Sequence, residues 1–117
     1  MEHRVAITGI GAVTPLGNTA KETWEGMVAG RCGIGPITHF DTEAFKVKVA
    51  AEVKDFDGAA LLGKQEAAHL DLYSQYALVA SDEAMADSGL DADGAIDHER
   101  LGVYVGSGTG GINAFAD

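Results

Sequence analysis

Two short apolar runs, each followed directly by glycines, constrain the fold more than any other feature of this sequence. Residues 4–8 read Arg-Val-Ala-Ile-Thr and lead into Gly9, and Leu101–Val105 leads into Gly106. Apolar and β-branched runs of this length, bounded by glycine, are typical of buried strands in sheets that are covered on both faces. We therefore predict a buried strand at each run, with a loop after it.

A helix is predicted soon after the first run. Thr19 and Glu22 have the spacing of a capping box, in which a hydroxyl and a carboxylate satisfy the first amides of a helix. Trp24 and Met27 then recur at helical spacing, and Gly30 closes the segment. The pattern indicates a short amphipathic helix whose aromatic and sulfur-containing side chains belong to the core.

A half-exposed strand and a long helix are predicted in the middle of the chain. Residues 46–53 alternate between apolar and polar side chains, which favours an edge or surface strand. From about Leu70 to Ser88 the spacing is helical, and Gly89 has the position of a glycine C-cap. The apolar positions of this helix are Tyr73, Tyr76, Ala77, Ala80, Ala84 and Met85. We expect it to be the longest helix, with its tyrosines in the core.

The order strand, helix, strand, helix, strand predicts an α/β layered fold. The 117-residue sequence stops soon after the second apolar run, before a helix that could cover that strand. We therefore expect residues 1–117 to be an incomplete part of a larger α/β domain.

Charge and cysteine content exclude several classes of function. Eight basic residues against 18 acidic ones give a net charge of −10, which disfavours nucleic acids and anionic membranes as partners. Cys32 is the one cysteine, so the chain contains no disulfide framework of its own. The N-terminus also lacks the apolar stretch of a signal peptide. The sequence favours a cytoplasmic protein without a membrane segment.

The glycine run at residues 106–111 has the spacing of a dinucleotide-binding loop, G-x-G-x-x-G. That loop belongs on the first strand of its unit with an acidic residue about 20 positions later, whereas this run lies near the end of the sequence. Gly111 is followed by isoleucine and asparagine, so a P-loop is excluded as well. We favour glycines that allow close backbone packing and predict no cofactor, and nucleotide binding is the weaker alternative.

Metal binding and cysteine catalysis are both disfavoured. If Gly94 were the invariant glycine of a calcium loop, Gly89 and Arg100 would occupy ligand positions, and neither can chelate. The acidic segment around Asp91 therefore reads as a solvated connection, and the four histidines lack metal-ligand spacing. Cys32 follows a predicted helix C-terminus, where the helix dipole disfavours a thiolate. We predict no metal site and no nucleophile in this chain.

Several short segments, taken in order, resemble the N-terminal region of β-ketoacyl-acyl carrier protein synthases, most closely the type II elongating enzymes. These segments are Val5–Gly11, Thr14–Asn18, His39–Asp41, Gln75–Ala77, Asp87–Leu90 and Gly106–Gly111. The resemblance implies a partial thiolase-like fold. The complete fold has two α/β halves, of which this chain would be part of the first, and proteins with this fold are usually homodimers. It implies acyl carrier protein and acyl and malonyl thioesters as partners.

The resemblance also implies roles for particular residues. The catalytic cysteine of the family lies in a Thr-Ala-Cys-type motif, and two histidines follow it, so no catalytic residue is expected in this chain. Gly108 and Thr109 are expected to border the acyl pocket, with Thr109 where the family often has a bulky aliphatic residue. Lys64 and His69 are expected to contact the carrier protein, in a segment with fewer basic residues than usual. A second hypothesis is a catalytically silent partner subunit that shapes chain length.

Overall fold

The computed structural model describes residues 4–90 and 96–111, which form two compact units. One unit is Ala12–Phe56, and the other combines residues 4–11, 57–90 and 96–111. Residues 91–95, the predicted acidic connection, lie outside the described residues. The elements, in chain order, are helix α1 (Ala20–Val28), strands β1 (Gly35–Pro36) and β2 (Val49–Ala50), helices α2 (Gly58–Leu62), α3 (Lys64–Ala68) and α4 (Leu72–Ser88), and a 3-10 helix (His98–Arg100).

Helix α1 begins and ends as the sequence predicts. The Thr19 side chain accepts a hydrogen bond from the Glu22 amide at 3.1 Å, and the Glu22 carboxylate accepts one from the Asn18 amide at 2.9 Å. At the other end Gly30 has a φ of +65°, and its amide bonds to the Met27 carbonyl. The Arg31 amide bonds to the Gly26 carbonyl at 2.9 Å. This pattern is a Schellman motif, which satisfies the last carbonyls of the helix.

A tight turn precedes α1 in the same unit. Thr14 and Gly17 exchange both backbone hydrogen bonds, at 2.8 and 3.2 Å. The Asn18 side-chain amide then donates to the carbonyls of Lys54 and Asp55, at 2.9 and 3.3 Å. Asp55 has a φ of +54°, a conformation that aspartate tolerates better than most residues. Asn18 therefore ties the start of α1 to the segment that follows β2.

The predicted strand at 46–53 is much shorter in the structure. β2 contains only Val49 and Ala50, which pair antiparallel with Pro36 and Gly35 of β1. The Ile37 amide adds one further bond, to the Lys48 carbonyl at 3.0 Å. The predicted strand is therefore confirmed only at these two residues, which form a two-stranded ribbon with β1. The apolar side chains Val47 and Val49 are exposed, whereas Ala50 is half-buried.

The other unit is built around α4, the longest helix of the described residues, which ends at Gly89 in the left-handed conformation as predicted. The sequence reading missed α2 and α3. Asp57 caps α2 by accepting from the Ala60 amide at 2.9 Å, and Gly63, with a φ of +90°, separates the two short helices. The Gln75 side chain donates to the carbonyls of Ala67 and Leu70, at 3.0 and 2.9 Å, and so fixes the corner between α3 and α4.

The prediction of two buried strands is wrong. Residues 4–8 and Leu101–Val105 form no strand, and Val5, Ile7 and Tyr104 are 92%, 84% and 97% exposed. A strand requires a neighbour for its amides and carbonyls, and the described residues offer neither run such a partner. Both runs lack regular secondary structure and carry their apolar side chains in solvent.

The predicted core positions are also wrong in part. Trp24 and Met27 are 65% and 59% exposed, and Tyr73 is exposed, whereas Tyr76 is half-buried. Among the described residues no large apolar side chain is fully buried. Amphipathic spacing identifies a helix face correctly, but only a second layer can bury that face.

Gly9 and Gly11 make the closest backbone approach in the α4 unit. A Cβ atom on Gly11 would overlap the carbonyl oxygen of Ala80, and one on Gly9 would overlap that of Ala84. Between them, the Ile10 amide donates to the Asp87 carboxylate at 3.0 Å. These glycines let residues 9–11 lie directly on the backbone of α4.

No helix within the described residues is both long and apolar enough to cross a bilayer.

Candidate functional site

The glycine run forms a tight turn after Leu101–Val105. The Ser107 hydroxyl accepts a hydrogen bond from the Gly110 amide at 2.9 Å, and Gly110 has a φ of +62°. Gly108 and Thr109 lie at the tip of this turn, and Thr109 is exposed. The predicted close packing is absent at Gly106 and Gly108, where an added Cβ would meet nothing within 4 Å. The positive φ explains the glycine at 110 instead.

Two side chains from the start of α4 lie against the end of this turn. A Cβ atom on Gly111 would overlap the Asp71 carboxylate, and one on Gly110 would lie 4.0 Å from the Tyr73 hydroxyl. Close packing is therefore confirmed at Gly111, with a side chain as the neighbour. Sequence reasoning did not identify Asp71 or Tyr73 as neighbours of this turn. Both lie nearly 40 positions before it in the sequence, and residues so far apart carry no local signal of contact.

The two predicted carrier-contacting residues lie at opposite ends of α3. Lys64 is its first residue, and His69 is its C-cap, where the His69 amide bonds to the Glu66 carbonyl at 3.1 Å. Both side chains are exposed, as is that of Glu66 between them. Lys64 and His69 are thus accessible on the described surface, and the Glu66 carboxylate offsets part of the positive charge of Lys64.

A cleft of about 430 Å³ lies beside the two-stranded ribbon. Among the side chains that line it, Glu52 accepts hydrogen bonds from both Thr38 and His39. The Glu52 carboxylate accepts from the Thr38 amide at 3.1 Å, the Thr38 hydroxyl at 2.8 Å and the His39 amide at 3.4 Å. The His39 imidazole lies 3.9 Å away. Desolvation raises the pKa of Glu52, but these hydrogen bonds and His39 together lower it below the ordinary value of 4.5.

Protonation of Glu52 should release the backbone amides of Thr38 and His39. Because the pKa is lower in the folded chain, the contribution of Glu52 to stability is complete above about pH 4.5. It is lost as the pH falls through the lower folded-state pKa. We expect amide exchange protection at Thr38 and His39 to fall in that acid range, after correction for intrinsic exchange rates. In Glu52→Gln, whose side chain keeps only one acceptor oxygen, protection at neutral pH should be lower than in the wild type and should not change in that range.

The matched control for this test is Glu43→Gln, which changes an exposed carboxylate in the loop between β1 and β2. This variant should keep the pH dependence of the wild type. Equal protection of Thr38 and His39 in wild type and Glu52→Gln at neutral pH would contradict the assignment.

A second cleft, of about 360 Å³, contains the one cysteine of the chain. Its lining includes the Thr14–Asn18 turn, Arg31, Cys32 and Lys54. Cys32 is exposed, and its Sγ lies 3.9 Å from the Ile34 carbonyl. The described residues bring no base of histidine or carboxylate type into hydrogen-bond contact with this thiol. They also group no three potential metal ligands.

Comparison with known proteins identifies the class to which this arrangement belongs. The sequence profile of the β-ketoacyl synthase N-terminal domain matches residues 2–116. The chain therefore belongs to the β-ketoacyl synthase family.

Individual relatives carry more specific names. The chain is 40% identical over 116 residues to 3-oxoacyl-[acyl-carrier-protein] synthase 2 of Synechocystis sp., covering 99% of this chain and 28% of that protein. It is 46% identical over 113 residues to the protein of the same name in Staphylococcus aureus strain N315, covering 96% and 27%. The chain thus spans just over a quarter of the length of these relatives.

A solved structure gives a similar result for the fold. The ishigamide ketosynthase/chain length factor aligns with a TM-score of 0.61 and 32% identity, over 82% of this chain and 22% of that one. The mixed helix and strand content of the chain is consistent with part of an α/β domain of this kind.

Proposed function

We propose that residues 1–117 are an incomplete N-terminal segment of the ketosynthase domain of a 3-oxoacyl-acyl carrier protein synthase. The observation that carries the proposal is the family match over residues 2–116, together with 40% and 46% identity to two proteins of that name. The complete protein would be an acyltransferase of fatty-acid or polyketide synthesis. It would need no cofactor.

The reaction of such an enzyme proceeds in two stages. A cysteine thiolate attacks the acyl thioester of a carrier protein, forms an acyl-enzyme thioester and releases the carrier thiol. Malonyl carrier protein then loses carbon dioxide, and the resulting carbanion attacks the acyl-enzyme, which forms the new carbon–carbon bond and returns the cysteine thiolate. Two histidines stabilise the enolate oxygen that develops during decarboxylation. Cys32 lies outside a Thr-Ala-Cys-type turn, so this segment alone should be inactive.

The complete domain would have the thiolase-like fold, in which two α/β halves stack in alternating layers, and would form a cytoplasmic homodimer. Similarity to the ketosynthase/chain length factor at 32% identity supports this fold. The apolar side chains exposed on residues 4–8 and Leu101–Val105 are suited to the interior of such a layered domain.

Within the segment, Gly108 and Thr109 would form part of the acyl-pocket wall. Threonine fills less space than the bulky aliphatic residue common in the family and adds a hydroxyl, so the pocket should differ in length or polarity at this point. Lys64 and His69 would contact the acidic carrier protein. With Glu66 between them, attraction through this patch should be weak unless residues elsewhere in the protein contribute positive charge.

A second candidate is a catalytically silent partner subunit that shapes chain length. Three features favour it: Thr109, the sparse positive charge at α3, and similarity to a structure described as a ketosynthase/chain length factor. The two candidates differ in whether the complete protein carries the nucleophilic cysteine.

The test is a condensation assay on the product of the complete reading frame, supplied with acyl and malonyl thioesters of acyl carrier protein. The synthase proposal predicts 3-oxoacyl carrier protein, and it predicts loss of product when the cysteine of the Thr-Ala-Cys-type turn is changed to alanine. A reading frame without that cysteine, and no product from the protein alone, would favour the silent partner.

A further inference from the structure

We propose that Asp71 and Tyr73 are positioning residues that fix the glycine turn carrying Thr109, and thereby set the acyl-chain-length preference. The inference rests on the proposed function, because it concerns the pocket wall of that same site. Neither residue would touch the reacting atoms. Both would act through the placement of Thr109.

The Asp71 carboxylate is the first reason for this assignment. Asp71 is the N-cap of α4, a position at which aspartate usually accepts a bond from the first amides of the helix. Its side chain makes no such bond, although Thr19 and Asp57 both cap their helices in this way. The carboxylate lies instead in the space that a side chain on Gly111 would need. Asp71 therefore forgoes helix capping and contacts the turn.

The Tyr73 side chain is the second reason. Its hydroxyl lies 4.0 Å from the position of a Cβ on Gly110, the residue that directly follows Thr109. Tyr73 is partly exposed, so burial in the core does not account for its placement. Asp71 thus contacts the end of the turn, and the Tyr73 hydroxyl lies close to the neighbouring residue from the same end of α4.

The turn needs such external support because of its composition. Four of its six residues are glycines, which lose more backbone entropy on ordering than any other residue. Gly106 and Gly108 have open space where side chains would lie, and Thr109 is exposed. The Ser107–Gly110 hydrogen bond closes the turn but does not attach it to a helix. Contact with Asp71 supplies that attachment, and the Tyr73 hydroxyl lies beside it.

Small displacements of this turn would matter for specificity. Hydrophobic pockets distinguish substrates that differ by one methylene group by roughly 10-fold to 200-fold. A shift of Thr109 changes the space available to the end of an acyl chain. We therefore expect variants of Asp71 to change the ratio of kcat/KM between short and long acyl substrates by about tenfold.

The experiment uses the complete synthase and the variants Asp71→Ala, Asp71→Asn, Tyr73→Phe and Gly111→Ala, with kcat/KM measured for acyl carrier proteins of increasing chain length. Asp71→Ala and Gly111→Ala should each change chain-length preference. Asp71→Asn keeps the shape of the side chain and should restore the wild-type preference. The double variant Asp71→Ala with Gly111→Ala should resemble the wild type more closely than Gly111→Ala does, because removing the carboxylate makes room for the new methyl group.

Asp82→Asn is the matched control, since Asp82 is an exposed carboxylate on the same helix. Amide exchange at Gly110 provides a readout that does not depend on activity, and Asp71→Ala should accelerate it about tenfold while leaving the α4 amides protected. Unchanged chain-length preference in an active Asp71→Ala enzyme would overturn the inference and leave the proposed function intact. If the wild-type protein forms no product, that result would count against the proposed function. Unchanged amide exchange at Gly110 in Asp71→Ala would in that case overturn the positioning role as well.

Discussion

Expressed alone, this chain should bind a hydrophobic dye at neutral pH and unfold over a broad temperature range. Among the described residues no large apolar side chain is fully buried, and residues 4–8 and Leu101–Val105 carry theirs in solvent. Each valine, isoleucine or leucine left exposed forgoes about 1.5 to 3 kcal/mol of stabilisation. A chain with this much apolar surface should be only marginally stable.

Dye fluorescence and differential scanning calorimetry on the isolated chain test this expectation. The complete reading-frame product, measured in parallel, should bind less dye per residue and give a sharper transition. A cooperative transition of the isolated chain without dye binding would show that it buries an adequate core by itself. That result would also count against the proposal that residues 1–117 are an incomplete segment.

Replacing Gly11 with valine should remove most of the protection of α4 against amide exchange. A side chain at Gly11 would overlap the Ala80 carbonyl, which belongs to the helix backbone and cannot rotate away. Overpacking of this kind typically costs about 1 to 3 kcal/mol, a large fraction of the stability of a marginal chain. The α4 amides from Ala80 to Ser88 should therefore exchange about 10-fold to 100-fold faster.

Hydrogen exchange suits this prediction because it measures local opening without requiring one cooperative transition. Gly106→Val is the matched control, since a Cβ at Gly106 meets nothing within 4 Å and Gly106 is not among the glycines with a positive φ. It should leave α4 protection unchanged. Equal losses in the two variants would mean that valine acts through a general loss of backbone freedom, and the packing of residues 9–11 on α4 would be in doubt.

Local sequence patterns were sufficient to predict the helices whose ends carry recognisable capping residues. Thr19, Glu22 and Gly30 predicted both ends of α1, and Gly89 predicted the end of α4, because capping involves residues within one turn of each other. The sequence reading missed α2 and α3, although Asp57 caps α2 in the same manner. Two helices of five residues each have too few positions to show a period.

The strands and the core could not be predicted in the same way. Composition at residues 4–8 and Leu101–Val105 is typical of buried strands, but a strand forms only against a partner and is buried only under a second layer. Trp24 shows the same limit for a helix face, since its spacing is correct and its side chain is exposed. Family resemblance added what periodicity lacked, because several weak motifs in one order specify a domain.

The candidate site shows a similar division. The resemblance placed Gly108 and Thr109 beside an acyl pocket, and those roles remain predictions. Side-chain contacts supplied by distant segments, such as Asp71 against Gly111, required the structure. Close packing was expected of the late glycine run, where the structure shows it at Gly111 against a side chain, and the closest approaches to helix backbone are at Gly9 and Gly11.

The most direct test of the account is the intact mass of the complete protein after incubation with an acyl-carrier thioester and without malonyl carrier protein. A condensing enzyme should gain the mass of one acyl group per chain, mapped to the cysteine of a Thr-Ala-Cys-type turn and lost on adding malonyl carrier protein. An unchanged mass with an intact thioester donor would contradict a condensing role for the protein that contains this segment.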